Sequence, residues 1–340
     1  MITRRFISIF IVVTILLSFS TFLISAQEDN YIVKEVLLKE QFSDGQGPII
    51  DDYSLDYKYY SPVKNGDNTK YPLVIWLHGL GNNSSPGSQL NASDIENWST
   101  VEYQKRFKNS GGAFIFAPRS PKTIGWDDTL INPLKGAIDD FIQKNKNNID
   151  ISRIYLGGYS MGGWMALKTA SIYPEMFAAI FVSCPAWGIS NDTAEKISSI
   201  PIWIVGGTND LTVNYYTTIL PTWNKIIKSN NTPEICRFST LDPTTYPNGE
   251  KASDGHFSWY AITNDMFASN TGNYPNMTTI NGVNNEIQLI FPEGMISWLC
   301  SKTSDYSEIN SSNENIKISI LSLLLNFIEK FIQLFNNVSL

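Results

Sequence analysis

The chain has 340 residues and a mass of 38.2 kDa, long enough for one large α/β domain. Apolar residues make up 43% and charged residues 17%, which supplies a core and excludes global disorder. With a net charge of -7 and no basic stripe to meet phosphates, no nucleic-acid partner is expected.

The N-terminus opens with Arg4-Arg5, an almost wholly apolar run from Phe6 to Ile24, and small residues Ser25-Ala26 before Gln27. This pattern predicts a signal peptide over 1–26 and a secreted body. The same run is long enough to stay uncleaved as a membrane anchor. Asn-x-Ser/Thr acceptors at Asn82, Asn83, Asn91, Asn97, Asn191, Asn230, Asn276, Asn310 and Asn337 accord with an exported glycoprotein.

From Tyr31 to Tyr60 apolar and polar residues alternate, as in Tyr53–Tyr59, which predicts antiparallel edge strands with one solvated face. The pattern then changes to short continuous apolar runs. They are Leu73–Leu77, Ala113–Ala117, Arg153–Leu156, Ala178–Val182, Ile202–Val205 and Glu234–Phe238. Strands buried on both faces look like this, so a mostly parallel sheet with helices on each side is expected.

Between the runs, Asn132 as cap and Pro133 as first residue open a helix. Its stripe is Leu134, Ala137, Ile138, Phe141 and Ile142, and the run Lys144–Asn148 ends it. A second stripe holds Tyr216, Ile219, Leu220, Trp223, Ile226 and Ile227, where Pro221 must kink the helix or start a new one. Another helix covers Gly294 to Cys300, and Asn264 to Pro292 reads as a long loop, a candidate lid. Residues 303–315 read as a polar linker. Residues 316–340 form an amphipathic tail suited to peripheral membrane contact or to docking on the domain. The catalytic domain is therefore expected over 27–302.

The three cysteines, Cys184, Cys236 and Cys300, leave a Cys236–Cys300 bridge and buried free thiols both open. Their spacing carries no metal pattern, so neither a zinc site nor any other cofactor is expected.

The segment Gly157-Gly158-Tyr159-Ser160-Met161-Gly162-Gly163 lies between the run Ile154–Leu156 and a helical stretch from Trp164 to Tyr173. Strand, G-x-S-x-G and helix together define a nucleophile elbow. A serine at so tight a turn needs empty places two residues to either side, which Gly158 and Gly162 provide. A serine hydroxyl also needs a base, and the base an orienting acid. Only two histidines exist, His78 and His256. His78 follows a strand in Leu77-His78-Gly79-Leu80-Gly81, where it would fix an oxyanion loop by its side-chain hydrogen bonds. The oxyanion donors are then the backbone N–H groups of Leu80 and Met161. His256 becomes the base, and Asp210, at the end of the strand Ile202–Val205, the acid. Asp254 and Asp192 are rival acids, Asp254 being too close to His256 in sequence to support the far side of its ring.

Pro72–Gly81, the run Ile149–Tyr155 leading into Gly158–Gly163, Asp210, and Gly255-His256 with Trp259 resemble secreted α/β-hydrolases. The similar groups are the polyhydroxybutyrate depolymerases, the feruloyl esterases and the peptidase-like esterases related to prolyl oligopeptidase. The resemblance covers about residues 31–302 and includes Trp298-Leu299. It implies an α/β-hydrolase fold, and Ser160, Asp210 and His256 as nucleophile, acid and base. A serine hydrolase of small-molecule or polymer-linked esters is the expected function. The alternatives are a serine peptidase and, in another class, a non-catalytic binding protein on the same fold. Trp126, Trp164, Trp187 and Trp259 are candidates for lining an acyl or aromatic pocket.

Overall fold

The continuous apolar runs become the interior of a nine-stranded sheet in a computed structural model that describes residues 42–80, 95–121 and 125–306. The expected signal peptide (1–26) and amphipathic tail (316–340) lie outside the described residues. The main-sheet strands are β1 (Ser43–Gln46), β2 (Asp56–Tyr60), β3 (Tyr71–Leu77), β4 (Phe114–Pro118), β5 (Ile149–Tyr159), β6 (Ala179–Ser183), β7 (Ile202–Gly207), β8 (Arg237–Leu241) and β11 (Met277–Asn281). Their order is β1-β2-β4-β3-β5-β6-β7-β8-β11. The six from β4 to β8 pair in parallel, while β1, β2 and β11 join through antiparallel pairings at the two margins. A small hairpin of β9 (Ala268–Ser269) and β10 (Gly272–Asn273) stands apart.

Both faces of the sheet are covered, which explains why its interior strands carry no polar alternation. On one face lie α2 (Ile131–Lys144), α3 (Met161–Ile172) and α5 (Leu220–Ser229). Phe141 of α2 meets Phe116 of β4 at 4.8 Å, and Trp223 of α5 stacks on Phe238 of β8 at 5.2 Å. On the other face lie α1 (Val101–Gln104) with the turn before it, α6 (Trp259–Thr263) and α7 (Met295–Cys300). There Trp98 packs on Trp76 of β3 at 6.1 Å, Trp259 stacks on Tyr159 of β5 at 4.9 Å, and Trp298 meets Trp203 of β7 at 5.4 Å. The short helix α4 (Asn191–Lys196) follows β6.

Three local expectations change, and of the two alternatives for Pro221 the start of a new helix is the one found. Asn132 does not cap α2: that helix begins at Ile131, after a 3-10 turn whose cap is Asp127. The Asn132 amide instead bonds Asp51 and accepts from the Tyr173 hydroxyl. Pro221 starts α5 at its second position, after a wide turn over Tyr215–Ile219 that Asn214 caps. The strand expected at Glu234–Phe238 begins at Arg237, because Pro233 opens a 3-10 turn over Pro233–Ile235. The largest difference lies in Asn264–Pro292, which is not a plain loop. Its β11 pairs with β8 from Met277↔Leu241 to Asn281↔Arg237 and forms the sheet margin.

All three cysteines are free thiols, so no Cys236–Cys300 bridge forms. Ser304 N–H donates to Ser152 O at 2.9 Å, and Tyr155 Oη donates to Lys302 O at 3.1 Å, so the start of the supposed linker is fastened to β5.

Candidate active site

Ser160 sits where β5 ends and α3 begins, with φ 53° and ψ -123°. Such angles are costly for a residue with a Cβ and persist only where the surroundings enforce them. Here they do. Ser160 N–H donates to Ser183 O at 3.0 Å, and Ser160 O accepts from Trp164 N–H at 3.1 Å and Ala186 N–H at 2.9 Å. A Cβ on Gly158 would stand 2.7 Å from Leu77 O, and one on Gly162 would stand 2.1 Å from Leu77 O and 2.5 Å from His78 O. The elbow is thus pressed against the loop that leaves β3. Only glycine permits that approach.

The β3 loop is held by His78, which is fully buried. Its Nδ1 lies 2.7 Å from Gly79 O, a pure acceptor, and its Nε2 lies 3.0 Å from Ser120 N–H, a pure donor. Those partners require the neutral tautomer with the proton on Nδ1 and leave no lone pair for a substrate. Burial pushes the His78 pKa down to about 4, against the raising effect of the Gly79 carbonyl. Trp126 Nε1–H donates to His78 O at 3.0 Å.

The side chains of Leu80 and Met161, the expected oxyanion donors, both come close to Gly125. A Cβ there would stand 3.1 Å from Met161 Sδ and 3.8 Å from Leu80 Cδ1. Met161 is the first residue of α3, so its N–H points out of the helix without an intrahelical carbonyl to meet.

Asp210 and His256 arrive from two other strand ends. Asp210 follows β7, its side chain wholly buried. Its Oδ1 accepts from Thr212 N–H at 2.9 Å and Val213 N–H at 2.6 Å, and its Oδ2 lies 3.1 Å from His256 Nδ1. His256 lies in a 3-10 turn, Gly255–Ser258, capped by Asp254. Burial opposes charge on its ring, but the neighbouring Cys184 sulfur and the bond to Asp210 outweigh this and raise its pKa.

Asp254 does not touch the ring. Its Oδ1 accepts from His256 N–H at 2.9 Å and from Leu211 N–H at 2.8 Å, and its Oδ2 accepts from Thr212 Oγ1 at 3.1 Å. One carboxylate therefore ties the loop of Asp210 to the loop of His256. Gly255 lets the two close, since a Cβ there would stand 2.3 Å from Asp210 N. Partial burial works against ionising Asp254, yet these hydrogen bonds hold its carboxyl below the usual range. Asp192, the other rival, pairs with Lys196 at 2.8 Å on the surface of α4, outside this cluster.

Ser160 is linked to the segment of His256 through its neighbours. Tyr159 stacks on Trp259, Ser160 N–H hangs on Ser183, and the next residue, Cys184, sets its Sγ 3.4 Å from His256 O. Among the described residues no hydrogen bond joins Ser160 Oγ to the His256 ring; such bonds often tighten only with substrate bound.

Of the four tryptophans considered for a pocket, Trp126 is buried beneath the β3 loop and Trp259 is sandwiched between Tyr159 and Tyr260. Trp164 and Trp187 meet edge to face at 5.1 Å, and Trp187 is 48% exposed. Trp164 N–H itself donates to Ser160 O, and Trp187 follows Ala186, the other donor, so an aromatic surface adjoins the elbow. The role of Asp254 as a tie and the position of Cys184 were not legible in the sequence. The nearest signal was the string Asp254-Gly255-His256.

A family model described as phospholipase/carboxylesterase matches residues 119–248. The chain is similar to a bifunctional acetylxylan esterase/xylanase of Neocallimastix patriciarum, 25% identical over 209 residues, which are 60% of this chain and 28% of that protein. It is also similar to a poly(3-hydroxybutyrate) depolymerase of Ralstonia pickettii, 27% identical over 187 residues, 43% of this chain and 37% of that one. The chain thus spans well under half the length of these two relatives. Among solved structures, a thermostable esterase superposes with a TM-score of 0.53 at 23% identity, covering 67% of this chain and 61% of that chain. The fold is that of the α/β-hydrolases, and the resemblance to the esterase and depolymerase group stands.

Proposed function

We propose that this chain is a serine hydrolase of carboxylic esters, working through Ser160, His256 and Asp210. The observation that carries the reading is the strained Ser160 on its strand–turn–helix, together with a half-buried His256 hydrogen-bonded to a buried Asp210. Asp210 fixes the His256 proton on Nδ1, which leaves Nε2 as the base. Ser160 Oγ gives its proton to Nε2 and attacks the ester carbonyl. The amides of Leu80 and Met161 receive the charge that develops on the carbonyl oxygen. His256 returns the proton to the leaving alcohol. Water, activated by the same nitrogen, then releases the acid from the acyl-enzyme.

The names of the similar proteins favour an ester of a small molecule or of a polymer, and the Trp164–Trp187 surface suits an apolar acyl or aromatic group. Export of the domain, with the division into 1–26, 27–302, 303–315 and 316–340, belongs to the same proposal and rests on the sequence pattern alone. The test is fluorophosphonate labelling and p-nitrophenyl ester turnover of wild type and Ser160→Ala. Labelling and turnover that both vanish in a folded variant support the reading. A well-folded wild type that neither labels nor turns over would refute it.

A further inference from the structure

The Cys184 thiol has no task in ester hydrolysis, yet it lies against the residues that do. One ligand atom from each of Cys184, Asp210 and His256 falls within 4.8 Å of the other two. Cys184 Sγ also accepts from Ser183 Oγ at 3.6 Å, and Ser183 Oγ lies 2.9 Å from Ser258 Oγ, so a hydroxyl already points at the sulfur.

We propose that Cys184, Asp210 and His256 form an inhibitory site for a soft divalent cation of the Zn2+ or Cd2+ type. The donor set is the first argument. Thiolate, imidazole and carboxylate are the three side-chain ligands such ions take, and a thiolate selects them over Mg2+ or Ca2+. Spacing is the second. Metal bonds of about 2.3 Å to sulfur and about 2.0–2.2 Å to nitrogen and oxygen set tetrahedral ligands roughly 3.3–3.6 Å apart. His256 Nδ1 and Asp210 Oδ2 are 3.1 Å apart, and Cys184 Sγ lies within 4.8 Å of one ring nitrogen of His256 and one carboxylate oxygen of Asp210. Small movements complete the triangle. The His256 ring can supply them, since its side chain is 18% exposed while that of Asp210 is 0% exposed. Asp210 Oδ1 keeps its two amide bonds, which hold the carboxylate still and leave Oδ2 as the ligand.

Inhibition follows from the proton balance and rests on the hydrolase reading above. Cys184 loses its thiol proton to solvent. With the ion on Nδ1, the one proton the His256 imidazole carries sits on Nε2. A protonated Nε2 cannot accept the Ser160 proton, and the Asp210–His256 bond is gone. Sequence spacing hides this site, because Cys184 and His256 come together only where β6 and the segment after β8 end at the same edge.

The test titrates the full-length protein with Cd2+ alone and follows the thiolate-to-metal charge-transfer absorbance. Zn2+ inhibition of ester turnover is measured in parallel. The expected result is a saturable band, with inhibition over the same range of occupancy. Cys184→Ser should lose the band and need at least the roughly 10–100-fold more Zn2+ that loss of even an outer partner costs a metal site, each variant compared with its own activity. Cys236→Ser/Cys300→Ser should keep both responses, and Ser160→Ala should keep the band. No band in wild type, a band that persists in Cys184→Ser, or Zn2+ binding without inhibition of an active enzyme would overturn the proposal. Should the chain turn over no ester, the band still reports the site, so the two failures are distinguishable.

Discussion

Adding one methyl group at Gly162 tests how the elbow and the oxyanion loop depend on each other. In Gly162→Ala the new Cβ would stand 2.1 Å from Leu77 O and 2.5 Å from His78 O. Carbon and carbonyl oxygen settle at about 3.3 Å, so the two segments must separate by about 1 Å. Neither can yield easily. Gly162 belongs to α3, and the β3 loop is held by buried His78 through Gly79 and Ser120. Overpacking against backbone on both sides costs about 3 kcal/mol, the upper end for an added methylene, and lowers Tm by roughly 5–10 °C. The same 1 Å displaces Leu80 from the carbonyl oxygen it is proposed to serve, and kcat should fall about 100-fold. Thermal unfolding and p-nitrophenyl ester kinetics measure the two effects. Gly111→Ala is the control: its φ of +70° strains an alanine, but nothing lies within 4 Å. It should cost about 1 kcal/mol and leave kcat unchanged. A Gly162→Ala protein with wild-type Tm and kcat would show that the loop is not held as argued.

Three further outcomes are expected. Asp254→Ala removes the tie between the acid and base loops and should lower kcat about tenfold at little change in KM, a loss of the size set by one or two hydrogen bonds; Asp254→Asn, which keeps the Oδ1 acceptor, should restore most of it. Equal losses in the two variants would argue for charge rather than tethering. His78 has its pKa lowered to about 4, so the unfolded chain binds the proton first and stability must fall as pH drops from about 6.5 to about 4. In His78→Gln that part of the pH dependence of Tm should flatten, and an unchanged slope would remove His78 as its source. Asp265→Ala should destabilise the fold by about 3 kcal/mol, because it removes the buried partner of a mostly buried Arg106 and leaves it only the exposed Glu102. It also removes the acceptor for Met295 N–H at the start of α7. A denaturant midpoint close to wild type would contradict that account.

The sequence by itself settled the local matters. Continuous apolar runs marked β3 to β7 because strands covered on both faces tolerate no polar alternation. The glycines around Ser160 marked the elbow because a strained turn leaves no room for side chains. With only His78 and His256 present, the two histidine positions were also legible. Only tertiary structure decided what depends on long-range pairing. β11 carries no strong pattern of its own, and it becomes a strand because β8 offers a free edge to pair with. Asn132 reads as a cap but is drawn to Asp51 and Tyr173, partners far away in the chain. Trp126 and Trp259 look like pocket residues but serve as supports, since their burial is fixed by neighbours that sequence distance conceals. The contacts of Cys184 and the tie made by Asp254 are of the same kind. Strand ends far apart in sequence meet at one edge of the sheet, and side chains there acquire partners that no local spacing records.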